Sequence, residues 1–196
     1  MDVAGKRVVV TGASRGIGAE IAKEFAAAGS YVVLSARSKE AISELAHEIN
    51  GIAIPFDAND PEDVRDYINH VEEAAGPIDV LINNAGIEKS TLIEDITENE
   101  IEETLRVNLI SPQILTAAVL PKMLARGSGH LVYTSSIAAT TGNPAMSAYC
   151  SSKAALDTMT MSLARVFGPK IRFLCVSPAA VATDFVEGRD REALTE

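Results

Sequence analysis

One feature restricts the fold more than any other: short apolar runs alternate with longer stretches of helical period. The runs Arg7 to Val10, Tyr31 to Ser35, Ile52 to Phe56, Asp79 to Asn83, His130 to Ser135 and Ile171 to Val176 are rich in β-branched residues and nearly continuous in apolar ones. Strands buried on both faces have this composition, and the ten or more residues between successive runs are enough for right-handed helical crossovers. Helices are expected at Gly16 to Ala28, Lys39 to Ile49, Pro61 to Ala75, Glu98 to Ala125 with a break near Ser111-Pro112, and Ser147 to Phe167. Their ends carry stop and start chemistry: Gly29 after the first, Asp60-Pro61 opening the third and Gly76-Pro77 closing it. The expected fold is a single α/β unit over residues 1–196. It is a doubly wound, Rossmann-like parallel sheet with six readable strands, and ligands should bind at the carboxyl ends of the strands.

Composition narrows the partners. With 47% hydrophobic and 22% charged residues in 196, the chain falls in the globular range and is large enough for one well-buried core. Lys and Arg number 17 against 27 Asp and Glu, and the resulting charge of -10 disfavours nucleic acid and anionic lipid. No run of apolar residues exceeds four and Met1 to Gly5 has no secretory core, so no membrane association and a cytoplasmic location are expected. Cys150 and Cys175 suit reduced, packed thiols. His47, His70 and His130 lack acidic or thiol partners at ligand spacing, so no metal site is expected.

Between the first strand and the first helix stands Thr11-Gly12-Ala13-Ser14-Arg15-Gly16-Ile17-Gly18. Glycines at this spacing let a backbone turn sharply and approach a phosphate, which then meets the helix's N-terminal amides. In NAD sites an acidic residue at the end of the second strand holds the ribose 2'-hydroxyl; here Ala36-Arg37 stands in that place, with Arg15 across the loop. Two cations and no carboxylate favour a 2'-phosphate, hence NADP(H) over NAD(H). The competing reading of Arg37 is a solvated surface charge.

Farther along, Tyr149 and Lys153 lie four apart in a helical stretch and so share one face. A nearby ammonium favours phenolate and is expected to lower the pKa of the phenol. Ser136 precedes Tyr149 by thirteen residues, at the carboxyl end of the fifth strand, where the ligand is expected. Neighbouring strand side chains point to opposite faces, so only one of Ser135 and Ser136 can face the site.

These motifs, together with Asn83-Asn84-Ala85-Gly86 and Asn108, occur in an order that resembles the short-chain dehydrogenase/reductase family, in its TGxxxGxG and YxxxK branch, from about Lys6 to Thr183. The family's spacing selects Ser136 over Ser135. By that resemblance the chain is an oxidoreductase. It would move a hydride between NADP(H) and a carbonyl or alcohol carbon, most simply as a carbonyl reductase of ketone or 3-oxoacyl type. The alternatives are oxidative work on an alcohol and a catalytically silent NADP(H)-binding scaffold. Tyr149 would be the general acid or base and Ser136 the donor to the substrate oxygen. Lys153 would hold the nicotinamide ribose and Asn108 a relay water.

The same resemblance gives cofactor contacts to Gly12, Ser14, Arg15, Gly16, Ile17, Gly18 and Arg37, to Asp57 and Ala58 at the adenine, and to Asn84 and Gly86 near the adenosine-side ribose and the sheet. Val181 and Thr183 would meet the carboxamide. Asn84 could equally serve only to tie strands together, and Asn108 only to satisfy backbone groups at the helix break. A homodimer or homotetramer is implied, through the helix holding Tyr149 and through Ile110 to Leu124, with Met159 and Met161 in the core or at a subunit contact. Two departures stand out. Ala179 replaces a usual glycine, and the family's usual continuation through a substrate-covering segment, starting here at about residue 184, and a seventh strand is not seen before Glu196. A polypeptide ending there is expected to bind NADPH, turn over poorly and associate through an unpaired sixth strand.

Overall fold

The computed structural model describes residues 2–179. Six parallel strands form one sheet in the order β3-β2-β1-β4-β5-β6: β1 Arg7–Thr11, β2 Tyr31–Ser35, β3 Ile52–Ala53, β4 Val80–Asn83, β5 Gly129–Thr134 and β6 Ile171–Val176. All five pairings are parallel, for example Val9 opposite Val33 and Leu81, and Val132 opposite Leu174. The sheet is therefore the expected doubly wound type. Its order reverses between β1 and β4, which opens a crevice at their carboxyl ends. The third strand is shorter than the apolar run suggests, although Pro55, whose nitrogen falls on the open side of this edge strand, removes no bond from the ladder. Ile54 and Phe56 nevertheless continue the pairing, donating to the carbonyls of Leu34 and Ala36.

The helices are α1 Gly16–Ala27, α2 Lys39–Ile49, α3 Pro61–Ala75, α4 Glu98–Leu105, α5 Ser111–Arg126, α6 Ala138–Thr141 and α7 Ser147–Phe167. Asp60 caps α3 as its sequence suggests, accepting from the amide of Glu62 at 2.9 Å with Pro61 in the first turn. A reciprocal Thr97–Glu100 capping box starts α4. The expected break near Ser111-Pro112 is not there. A π turn over Arg106–Ile110 joins α4 to α5, and the amide of Ser111 reaches back to the carbonyl of Arg106. Widening the helix by one residue just before Pro112 takes up the irregularity that a proline without an N–H would otherwise force. The result is a helix from Glu98 to Arg126, 29 residues long and apolar enough by length and composition to cross a bilayer, yet half of its apolar window is buried in this fold.

Alternation along the strands divides the core between the two faces of the sheet. Val9, Leu81 and Leu131 join α3, α5 and α7 through Tyr67, Val119 and Leu156. Val8, Val10 and Ile82 join α1 and α2 through Ala22 and Ile42. Each fully buried side chain of this size contributes about 1.5–3 kcal/mol. The two packed layers hold the strand ends, and the loops that leave them, in place.

Candidate active site

A cleft of about 630 Å³ lies across the carboxyl ends of the strands, from the loop after β2 to the start of α7. At one end its wall is backbone. Gly12 has φ +67°, and a Cβ there would lie 2.8 Å from the Cα of Ala85. Gly18 leaves still less room, since a Cβ would sit 2.2 Å from the carbonyl oxygen of Gly12. Both glycines are therefore dictated by close approach of the β1–α1 loop to the segment after β4. Helix α1 begins at Gly16 with no side-chain cap and no acidic residue in its first turn, so its N-terminal amides are left to an anion. Ser14, Arg15, Ile17, Arg37, Asp57 and Ala58 all line this end, with Arg15 and Arg37 exposed at its edge. Donors, cations and the absence of a carboxylate beside Arg37 fit a phosphorylated dinucleotide.

Asn84 lines the cleft, but both ends of its amide are engaged by protein. Its Nδ2 donates to the carbonyls of Thr11 at 3.1 Å and Gly12 at 3.3 Å, and its Oδ1 accepts from Thr134 Oγ1 at 3.1 Å. It thus ties together the ends of β1, β4 and β5. Thr11, which sequence reasoning passed over, completes the tie: its hydroxyl accepts from the amides of Asn84 at 3.1 Å and Ala85 at 3.0 Å. A threonine ending a strand before a glycine loop is too common a pattern to have marked it.

The other end of the cleft is built from side chains. Ser136, one residue past the ladder of β5, bonds to the hydroxyl of Tyr149, and its own Oγ accepts from the amide of Ala138 at 3.1 Å. Ser135 is buried and turned away, its hydroxyl donating to the carbonyl of Lys153 at 3.3 Å. The short helix α6, not legible in a small polar run, places Ser136 by supplying that amide. Lys153 is 3% exposed, lies 5.6 Å from the centroid of the Tyr149 ring, and donates through Nζ to the carbonyl of Thr134 at 2.7 Å. The edge of Gly86 is close as well, since a Cβ there would be 3.4 Å from that Nζ.

Asn108 sits in the π turn, fully buried. Its Oδ1 accepts from the amide of Ile87 at 2.8 Å, and its Nδ2 donates to the carbonyl of Ile87 at 2.9 Å and to Ser152 Oγ at 3.1 Å. It clamps the loop after β4 to α7, and Ser152, another residue that sequence reasoning missed, is its anchor. Val181 and Thr183 lie outside the described residues.

Burial sets the protonation states. It pushes the Tyr149 phenol up, opposed by the bond from Ser136 and assisted by the charges of Glu88 and Cys150. The expected lowering is not the outcome in this structure: burial leads and raises the phenol, and burial also pushes Lys153 itself down to about 8. A phenol held protonated and bonded to a serine hydroxyl is arranged to donate a proton. Among the described residues no group of three metal-ligating side chains occurs.

Comparison with known proteins agrees with this geometry. The short chain dehydrogenase family profile matches residues 6–193. A ketoacyl reductase of Nostoc sp. is 35% identical over 184 residues, covering 91% of this chain and 64% of the relative. The 3-oxoacyl-acyl-carrier-protein reductase of Haemophilus influenzae is 33% identical over 187 residues, covering 93% and 77%. The chain therefore spans a little under two thirds of the first of these relatives. Among solved structures, a gluconate 5-dehydrogenase from Burkholderia cenocepacia in complex with NADP and tartrate superposes with a TM-score of 0.84 at 28% identity, covering 90% of this chain and 71% of that one.

Proposed function

This chain belongs to the short-chain dehydrogenase family, and from that premise we propose that it is an NADPH-dependent carbonyl reductase acting on a ketone or a 3-oxoacyl group. The observation that carries the proposal is the convergence of Ser136, Tyr149 and Lys153 at one end of a cleft whose other end is a glycine-built anion site. Two similar proteins named as ketoacyl and 3-oxoacyl reductases support the reducing direction. The NADP in the Burkholderia structure supports the phosphorylated cofactor.

When bound, the dinucleotide would supply the hydride. The chain's own residues do the rest. Arg15 and Arg37 would hold the 2'-phosphate and the α1 amides the pyrophosphate, with Asp57 and Ala58 beside the adenine. Gly86 leaves room for a ribose against Lys153. Tyr149 would give its proton to the carbonyl oxygen as negative charge develops there, while Ser136 donates a second hydrogen bond to the same oxygen. Asn108 keeps the floor of the site rigid by fixing Ile87 to α7, and would hold a proton-relay water only as a second duty. Exposed Ile110, Met161 and Val166 on the long helix and α7 favour a homodimer or homotetramer. The test is a screen of NADPH oxidation across ketones and 3-oxoacyl thioesters. Oxidation that depends on one of them is expected, and a folded, NADPH-binding protein that oxidises none of them would refute the proposal.

A further inference from the structure

Lys153 poses a problem that the residues around the cleft do not solve. Lys153 is 3% exposed, and among the described residues the acceptor of its ammonium, the carbonyl of Thr134 at 2.7 Å, is uncharged. Among the described residues no carboxylate is in ion-pair contact with it. A buried ammonium without a counter-charge tends to lose its proton, and it would then no longer polarise the site.

Behind the site, on the side away from the cleft, lies a polar cluster that the reaction does not touch. Asp157 follows Lys153 by one turn of α7, and its Oδ1 accepts from the Cys175 thiol on β6 at 3.0 Å. Burial and the adjoining Asp157 push that thiol up to about 11, so at neutral pH it is a proton donor and orients the carboxylate. The hydroxyls of Ser135 and Thr160 lie beside the same sulfur, and they donate to the carbonyls of Lys153 at 3.3 Å and Leu156 at 2.8 Å. The cluster therefore joins β5, β6 and α7 directly behind the lysine.

We propose that Asp157 is a positioning residue: held in place by the Cys175 thiol, it is the counter-charge that keeps the buried Lys153 ammonium protonated at neutral pH. Tyr149 and Asp157 lie on the helix of Lys153, Cys175 faces it from β6, and Glu88, on the loop after β4, acts on Tyr149. Against burial act a Cys175 thiolate, which forms only at high pH, and the Asp157 carboxylate, which is the one of the two that is charged at neutral pH.

The significance for turnover rests on the proposed reductase activity, but the test of the charge does not, because it needs no substrate. The Lys153 side-chain resonance is followed with pH in isotope-labelled protein and identified by its loss in Lys153→Arg. In Asp157→Asn, which keeps an acceptor for the thiol, the midpoint is expected to move down by about one pH unit. Asp157→Glu should restore most of it. Cys175→Ala, which releases the carboxylate from its tether, should move the midpoint in the same direction by about half as much. If a reductase assay is in hand, the alkaline fall in turnover moves to lower pH with the midpoint. An unmoved midpoint in folded Asp157→Asn, or in Cys175→Ala should the first variant not fold, overturns the proposal. So does a shift in Asp157→Glu as large as in Asp157→Asn. Loss of turnover with no change in midpoint would leave the reductase reading standing while refuting this one.

Discussion

The two ends of the cleft are made of different material. The loop after β1 is shaped by positions where a Cβ would collide, Gly12 with Ala85 and Gly18 with Gly12, and its charges, Arg15 and Arg37, are exposed. The end around Tyr149 is shaped by side chains, with Asn108, Lys153 and Ser152 all at most 3% exposed and joined to one another or to backbone by hydrogen bonds. The first end can grip an anion through helix amides and exposed cations. The second shifts proton equilibria, raising a phenol and lowering an amine through burial. Binding and chemistry should therefore be separable by mutation.

The largest expected effect is on chemistry alone. Tyr149→Phe removes the proton donor but leaves Lys153 and the whole glycine end, so turnover should fall by about 10² to 10⁴-fold while NADPH affinity, measured by fluorescence titration, changes little. A comparable loss in both would mean that the two ends are not separable. Next come changes at the binding end. Arg37→Ala should weaken NADPH by roughly ten-fold to a hundred-fold, the worth of a charge-assisted hydrogen bond, and leave NADH where it was. Equal affinity for the two cofactors in the unaltered protein would remove Arg37 from the account. Gly18→Ala, by contrast, should weaken both cofactors together and lower the melting temperature, because the clash costs about 1–3 kcal/mol whatever the ligand.

The smallest expected effect is on stability and belongs to the buried lysine. The unfolded chain holds the Lys153 proton to about its ordinary 10.5, whereas the folded chain releases it near 8. Between those values the unfolded state binds more of the lysine's protons, so the lysine alone adds on the order of 2 kcal/mol of stability from pH 8 to pH 10, and the Cys175 thiol, ordinarily near 9 and held up to about 11 in the folded chain, offsets part of that gain. Above about 10 the raised phenols of Tyr67 and Tyr133 oppose the gain, since the unfolded chain then loses protons that the folded one keeps. Denaturant melts at a series of pH values should show a more positive slope between pH 8 and pH 10 in the unaltered protein than in Lys153→Met. Equal slopes in the two would show that the lysine is not as buried as the structure has it.

The same contrast explains what could be read from the sequence. Glycine spacing is a direct record of backbone crowding, so the β1–α1 loop and the alternation of strand and helix were legible, as was the Asp60-Pro61 start of α3. Side-chain networks leave no such record. Asn84 looked like a cofactor ligand or a strand tie, and its bonds to Thr11, Gly12 and Thr134 make it a tie. Pro112 read as a break because a proline normally interrupts a helix, and the π turn that avoids the break has no sequence signature. Spacing also put an ammonium near a phenol and suggested a lowered pKa. How deeply both groups are buried, which sets the direction of each shift, depends on tertiary packing.

The central claim is that Tyr149 and Ser136 serve hydride transfer from NADPH to a carbonyl carbon. It is tested most directly with NADPH deuterated at the redox carbon of the nicotinamide, incubated with whichever carbonyl compound drives its oxidation. One deuterium is expected at the former carbonyl carbon of the alcohol product, at a rate that falls by about 10² to 10⁴-fold in Tyr149→Phe although that variant still binds NADPH. Alcohol formed without deuterium at that carbon, or formed as fast by Tyr149→Phe, would contradict the account.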